Sequence, residues 1–241
     1  MKVHNGDHAP TLSSAILLYK KSGPQGNGGA FATVHPVRTD DAGVSTIGPG
    51  TPASRQGVLA ALRELAEDRI KPELIPAHIL AKGSDHLVWY RPALKRVVWF
   101  RCKDLGERTA LVPHPATLWL VNPATGYCSV FALRDDTRPD KDTGLYQAPY
   151  YNVWDTGQIC TGNAGVPKGA EALVPENWER MFYDSWFSHP NTPKLVRHKE
   201  GAMAFWKNLL DGKHRVFPKA KLLSARTTLG RQFARLCAEP K

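Results

Sequence analysis

Long apolar runs are missing from this sequence. No stretch of about 18 uninterrupted apolar residues occurs, which excludes a membrane-spanning helix built from such a run. The first residues also lack an apolar segment that leads to a cleavage site, because Lys2, His4, Asp7 and His8 are charged or polar. We therefore expect a cytoplasmic location and no membrane partner.

Cysteine is scarce, and its spacing excludes the common zinc sites. The four cysteines, Cys102, Cys128, Cys160 and Cys237, form no Cys-x-x-Cys pair and have no histidine at zinc-ligand spacing. We predict no metal site and no cofactor. In a reducing cytoplasm each cysteine is a free thiol, and acts either as a small hydrophobic side chain or as a nucleophile. Cys102 and Cys128 lie in strand-like sequence and are predicted to be core residues.

Acidic residues are rare in the last 48 positions. Residues 194–241 contain twelve Lys and Arg against Glu200, Asp211 and Glu239, so this stretch accounts for +9 of the net charge of +10. One interpretation is a solvated helical face. The other is a surface that attracts nucleic acid or an acidic protein.

The remaining sequence predicts an α+β fold. With 42% hydrophobic residues the chain can form a substantial core. Two strands, 11–19 and 30–37, flank a glycine-rich connection that matches no phosphate-binding template. A helix over 52–68 is predicted to begin at Thr51 and Pro52, and an antiparallel meander covers about 78–133. The predicted meander strands are 79–81, 87–90, 96–102, 117–121 and 127–133.

Helical periodicity returns after residue 170. Helices are predicted over 175–187, 201–210 and 224–237, while 134–145 is predicted to be an irregular surface insertion. Segregation of strands and helices along the chain favours α+β over a doubly wound sheet. We predict three regions: an N-terminal β extension with a linker (1–50), a core (51–193) and basic C-terminal helices (194–241).

One loop, residues 149–163, combines glycines with a cysteine. Gly157 and Gly162 bracket Cys160, so the backbone can turn sharply around an uncrowded thiol. Loops held by a rigid scaffold often carry chemistry. We predict that Cys160 is a reactive thiol on an ordered, exposed loop.

This loop resembles the cysteine loop of the ubiquitin-conjugating enzyme superfamily. Asn152 lies eight residues before Cys160, Gly157 three residues before it and Ile159 immediately before it, at the spacings of the superfamily motif. The order of helix, meander, cysteine loop and helices agrees as well. Within the superfamily, the chain looks like the bacterial protein B family of PRTRC gene systems, which are carried by plasmids or other mobile elements. The similarity covers about residues 52–190.

The sequence also departs from that motif. Tyr150 and Tyr151 replace His-Pro, and Thr161-Gly162-Asn163 replaces the usual residues after the cysteine. A literal His189-Pro190-Asn191 follows the cysteine, and we treat it as unrelated to the loop. We predict that Tyr150, Tyr151, Asp155, Gly157, Ile159 and Gly162 shape the loop.

The resemblance implies a cysteine thioester carrier. Cys160 would accept a small ubiquitin-like protein from a ThiF-type activating enzyme and pass it on, as a transferase does. The amide of Asn152 is suited to stabilise the oxyanion of that step, or else makes structural hydrogen bonds in the loop. Two Asp-Thr-Gly triplets, at 142–144 and 155–157, are too close together to form an aspartic-protease pair.

Two further hypotheses stay open at this stage. The replaced His-Pro and post-cysteine residues also suit an inactive relative that keeps the fold as a protein-binding scaffold. The basic C-terminal region also suits a nucleic-acid-binding accessory protein of a mobile element.

Overall fold

A computed structural model describes residues 12–20, 30–40, 42–54, 56–59, 74–83, 85–162 and 164–238. The chain divides into two compact units, residues 1–73 and 74–241. The basic region from residue 194 belongs to the second unit. The three-part division at residues 50 and 193 stays a prediction.

The first unit contains the N-terminal sheet. The predicted strand pair is confirmed as β1 (Ser14–Lys20) and β2 (Ala30–Thr39), which pair antiparallel. Two short strands, β3 (Ser45–Ile47) and β4 (Thr51–Pro52), also pair antiparallel with β2. Half of the residues of β2 are β-branched or aromatic, a composition that favours a strand.

The helix predicted from Thr51 begins later than expected. Thr51 and Pro52 lie in β4, so their assignment to the helix start was wrong. Residues 56–59 are helical, and the hydroxyl of Ser54 accepts a hydrogen bond from the Gly57 N–H at 3.0 Å. Ser54 is therefore in the capping role that the sequence suggested for Thr51. The remainder of the predicted helix, residues 60–68, lies outside the described residues.

Two sheets lie in the described residues of the second unit. One has six strands in the order β13-β11-β10-β9-β6-β5, and the other has three in the order β12-β7-β8. All pairings are antiparallel except β12 with β7. The strands are β5 (Ile79–Lys82), β6 (Leu87–Arg91), β7 (Leu94–Cys102), β8 (Gly106–His114), β9 (Ala116–Asn122), β10 (Tyr127–Leu133), β11 (Gly144–Gln147), β12 (Trp186–Phe187) and β13 (Ser224–Thr228).

The predicted meander is confirmed as mainly antiparallel, but its pairing order differs. Strand β6 pairs directly with β9, and the hairpin β7–β8 leaves the main sheet to form the smaller one. Strand β8 was not predicted, and its partly polar sequence lacks the dense apolar run of β9. Strand β11 overlaps the end of the predicted irregular insertion, 134–145. The strand pairs with β10 and β13, and Leu145 is buried, so this end of the insertion belongs to the sheet.

The described part of the second unit also contains three α-helices: α1 (Pro175–Tyr183), α2 (Gly201–Leu210) and α3 (Leu229–Cys237). The helix predicted over 175–187 ends at Tyr183, and the next aromatic residues form β12 beside β7. The helix predicted over 224–237 begins only at Leu229, because residues 224–228 pair with β11. Thr228 caps α3 through its hydroxyl, which accepts the N–H of Arg231.

The six-stranded sheet is buried on both faces. Trp119 and Val121 of β9 lie in the cluster that includes Trp178 of α1 and Trp206 of α2. The alternate residues Leu118 and Leu120 lie in a second cluster, against which α3 packs. Burial on both sides explains why β9 and β10 are almost continuously apolar.

In the described parts of the chain, no helix is long and apolar enough to cross a membrane.

Candidate active site

The cysteine loop is a tight hairpin attached to the main sheet. Val153 bridges to Ile159, and the Trp154 N–H donates to the Gln158 carbonyl at 2.9 Å. The hairpin is joined to β10, since the Ile159 N–H donates to the Cys128 carbonyl at 2.9 Å. Ile159 is buried and anchors the strand that leads to Cys160. The loop is therefore ordered by backbone hydrogen bonds on two sides.

Gly157 forms the tip of this hairpin and is required there for two reasons. Its φ is +86°, a left-handed conformation that favours glycine. A Cβ at this position would lie 2.5 Å from the ring of Phe131, a buried residue of β10. The Gly157 carbonyl also accepts the N–H of Val130 at 2.8 Å. Glycine therefore lets the hairpin lie flat against the sheet.

Tyr150 and Tyr151 anchor the start of the loop in the core. Both are almost fully buried. The Tyr150 hydroxyl is 2.9 Å from Nδ1 of His114, the last residue of β8, and the rings stack. Burial, together with the nearby Arg96 guanidinium, lowers the pKa of His114 to about 3. Burial also raises the pKa of Tyr150. The His114 and Tyr150 side chains are therefore both neutral at physiological pH, so they can be buried without an unpaired charge.

Asn152 is the turning point between this anchor and the hairpin. It is buried and has a φ of +62°, a conformation that asparagine tolerates better than most residues. Its carbonyl accepts the Cys160 N–H at 2.8 Å. Its side-chain Nδ2 donates to the Trp186 carbonyl at 2.7 Å, and its Oδ1 accepts from the Ser188 hydroxyl at 3.0 Å. Asn152 thus contacts Cys160 through its backbone, while its amide bonds to the segment after α1.

The four cysteines differ in their surroundings. Cys160 is half-buried, between the buried Ile159 and the half-buried Thr161. Cys128 is fully enclosed in the core, and burial raises the pKa of its thiol. Cys102 is half-buried beside the core, and Cys237 at the end of α3 is exposed. Cys160 lies on the loop, whereas the other three cysteines lie in β7, β10 and α3.

Surface cavities are lined by residues that lie near Cys160 along the chain, Thr161 in one and Gln158 in another. One, of about 700 Å³, includes Thr161, the turn around Gly126 and Lys168 in its lining. The other, of about 550 Å³, includes Gln158 of the loop and Arg235 of α3. The basic C-terminal region therefore extends to a cavity beside the cysteine loop.

The other predicted loop residues have different roles. Asp155 is exposed on the hairpin turn. Gly162 has a φ of +50°, and a Cβ there would meet no described heavy atom within 4 Å. Asn163 lies outside the described residues.

Among the residues the structure describes, no three His, Cys, Asp or Glu side chains are grouped so as to hold a metal ion.

The structure brings to this site a segment that sequence reasoning treated as unrelated. His189 comes just after the helix predicted over 175–187, but it follows β12 instead, and its carbonyl accepts the Asn152 N–H at 3.0 Å. Ser188 and Trp186 bond to the Asn152 side chain. The His-Pro-Asn triplet was the only sequence signal near these residues, and its distance along the chain from Asn152 concealed the contact.

The sequence matches one family model over most of its length. A model described as prokaryotic E2 family D matches residues 57–225. No curated protein and no solved structure matches the chain. The matched range includes the whole cysteine loop, the three-stranded sheet, the helices α1 and α2, and the six-stranded sheet apart from the last three residues of β13.

Proposed function

Since this chain belongs to prokaryotic E2 family D, we propose that it carries a ubiquitin-like protein as a thioester on Cys160. The activated C-terminal carbonyl comes from a ThiF-type activating enzyme. The Cys160 sulfur attacks that carbonyl carbon and a C–S bond forms, while the bond from the carbon to the activating group on the activating enzyme breaks. That group leaves with the electron pair, and the thiol proton passes to solvent. An acceptor nucleophile then displaces the sulfur, which makes the protein a transferase.

The observation that carries this proposal is the placement of Cys160. It is half-buried and directly follows an ordered hairpin, and the nearby loop residues Gln158 and Thr161 line surface cavities. An acyl carrier must be reached by two large proteins in turn, and a loop at the surface permits this. The buried Cys128 is an unsuitable nucleophile, because burial raises the pKa of its thiol.

The contacts of Asn152 support an organising role more than an oxyanion role. Its Nδ2 already donates to the Trp186 carbonyl, and its backbone carbonyl holds the Cys160 N–H. Tyr150 and Tyr151 support the same turn from the core, in the positions where the superfamily motif has His-Pro. The replaced residues are therefore compatible with an ordered loop and a functional thiol.

We place the protein with the PRTRC-type members of this family, encoded on plasmids or other mobile elements. This rests on the loop spacing of Asn152, Gly157, Ile159 and Cys160. The expected partners are an adjacent ThiF-type activating enzyme and a small ubiquitin-like protein. The alternative is an inactive scaffold, which would bind these partners without forming a thioester.

A charging assay tests the proposal. The full chain is mixed with the neighbouring activating enzyme, the ubiquitin-like protein and ATP. The wild type should form a conjugate that a thiol reductant releases. Cys160→Ala should form none, and Cys160→Ser should form a reductant-resistant oxyester.

Cys237→Ser is the matched control, because Cys237 is an exposed thiol far from the loop in sequence. It should charge like the wild type. Charging that survives Cys160→Ala, or that depends on Cys102 or Cys237, would contradict the proposed site. Partner binding without any conjugate would support the scaffold alternative.

A further inference from the structure

A four-residue segment clamps Asn152 from outside the loop. The Asn152 N–H donates to the His189 carbonyl at 3.0 Å, and its Nδ2 donates to the Trp186 carbonyl at 2.7 Å. Its Oδ1 accepts from the Ser188 N–H at 3.3 Å and from the Ser188 hydroxyl at 3.0 Å. Residues 186–189 thus make four hydrogen bonds to one residue of the cysteine loop.

The clamp compensates for a conformation that a free chain disfavours. Left-handed φ values cost an L-residue free energy, and persist where surrounding contacts fix them. Asn152 has a φ of +62°, and its carbonyl accepts the Cys160 N–H at 2.8 Å. If residue 152 relaxed to a negative φ, the adjoining peptide planes would rotate and this hydrogen bond would weaken. The clamp therefore acts on the backbone of Cys160.

Ser188 supplies the one hydrogen bond of the clamp that comes from a side chain of residues 186–189. An amide oxygen only accepts, so the Ser188 hydroxyl donates its proton to Asn152 Oδ1. The Ser188 oxygen is then free to accept from His189 Nδ1, which is 2.9 Å away, and the network assigns the His189 proton to Nδ1. Ser188 itself is exposed, so its hydroxyl is not needed to fill the core.

We propose that Ser188 is a positioning residue for Cys160. Its hydroxyl holds the Asn152 amide, and Asn152 in turn fixes the Cys160 backbone and the direction of the thiol. The effect on thioester transfer rests on the proposed function, whereas the effect on the Cys160 backbone does not.

The first test is amide hydrogen exchange, measured by NMR on the full chain without partners. Ser188→Ala should accelerate exchange at the Cys160 amide about fivefold, the factor that corresponds to one net hydrogen bond. Ser188→Thr keeps the hydroxyl and should restore the wild-type rate. Ser185→Ala is the matched control, since Ser185 donates its hydroxyl to the Phe182 carbonyl at 2.6 Å instead.

A double-mutant cycle distinguishes the loss of the Ser188–Asn152 hydrogen bond from a general folding defect in Ser188→Ala. Asn152→Gly accepts the positive φ but lacks the side chain, so it should also accelerate exchange at Cys160. In that background Ser188→Ala should add nothing, because its partner is gone. A Ser188→Ala effect that is equal in both backgrounds would overturn the proposal, as would wild-type exchange in Ser188→Ala alone.

The second test measures discharge of the preformed thioester to free lysine. Ser188→Ala should slow discharge about fivefold or more, with rescue by Ser188→Thr. Faster exchange with unchanged discharge would overturn the role in transfer. If the wild type does not charge, the proposed function fails, and the exchange result still decides whether Ser188 positions Cys160.

Discussion

At the scale of single residues, the loop depends on where glycine is required. Gly157 and Gly162 both have positive φ values, yet their surroundings differ. A Cβ at Gly157 would collide with the Phe131 ring, whereas a Cβ at Gly162 would meet no described heavy atom within 4 Å. The two glycines that bracket Cys160 are therefore not equivalent.

We predict that Gly157→Ala is much more harmful than Gly162→Ala. A left-handed alanine costs about 1–2 kcal/mol, and overpacking against a buried ring adds about 1–3 kcal/mol at position 157 alone. The expected loss of unfolding free energy is about 2–5 kcal/mol for Gly157→Ala and about 1–2 kcal/mol for Gly162→Ala. Urea denaturation measures both. Equal losses would contradict the contact with Phe131.

At the scale of elements, one buried carboxylate joins α1 to both sheets of the second unit. Glu179 of α1 accepts hydrogen bonds from Trp89 Nε1 and Arg91 of β6 and from Arg96 of β7. Strand β6 belongs to the six-stranded sheet and β7 to the three-stranded sheet. Glu179 is almost fully buried, while both guanidinium groups keep some solvent contact.

We predict that Glu179→Gln destabilises the protein by about 3 kcal/mol. Removing one partner of a buried ion pair leaves the other charges without a counterion, which costs about 3–5 kcal/mol. Partial solvation of the arginines keeps the loss of unfolding free energy at the lower end of this range. The matched control is Glu176→Gln, which removes the exposed carboxylate partner of Arg91 and should cost less than about 1 kcal/mol. Thermal or urea unfolding compares them, and similar losses would contradict the buried network.

At the scale of the whole molecule, the net positive charge is concentrated in the last 48 residues, which carry +9 of the total of +10. Among the described residues, Arg231 and Arg235 are exposed on α3, and Arg235 lies at the cavity beside Gln158. This arrangement supports electrostatic steering of an acidic partner toward the cysteine loop. It would also attract nucleic acid without sequence preference.

We predict weak, salt-sensitive binding to duplex DNA. If about four phosphates are neutralised, affinity should fall about 100-fold between 50 and 200 mM salt. Fluorescence anisotropy with a labelled duplex measures this. Arg231→Gln with Arg235→Gln should reduce the slope of log affinity against log salt by about 1–2. Binding that does not change with salt would exclude the nucleic-acid hypothesis and leave either a solvated helical face or a surface for an acidic protein.

The sequence by itself determined the α+β class, the strand pair at the N-terminus and the family. These follow from local information: β-branched and aromatic runs specify strands, and the distances from Asn152, Gly157 and Ile159 to Cys160 are fixed along the chain. The position of Gly157 at a tight turn was also accessible from sequence, since glycine marks positive φ.

The tertiary structure alone decided the contacts between distant segments. Trp186 and Phe187 continued a helical pattern, yet they form a strand because β7 offers a free edge beside them. Ser224–Thr228 likewise pairs with β11 before α3 begins. The clamp of Ser188 and His189 on Asn152 spans more than 30 residues, and no local pattern encodes it. Hydrogen bonds between segments depend on how sheets and helices pack, and that packing exists only after the chain has folded.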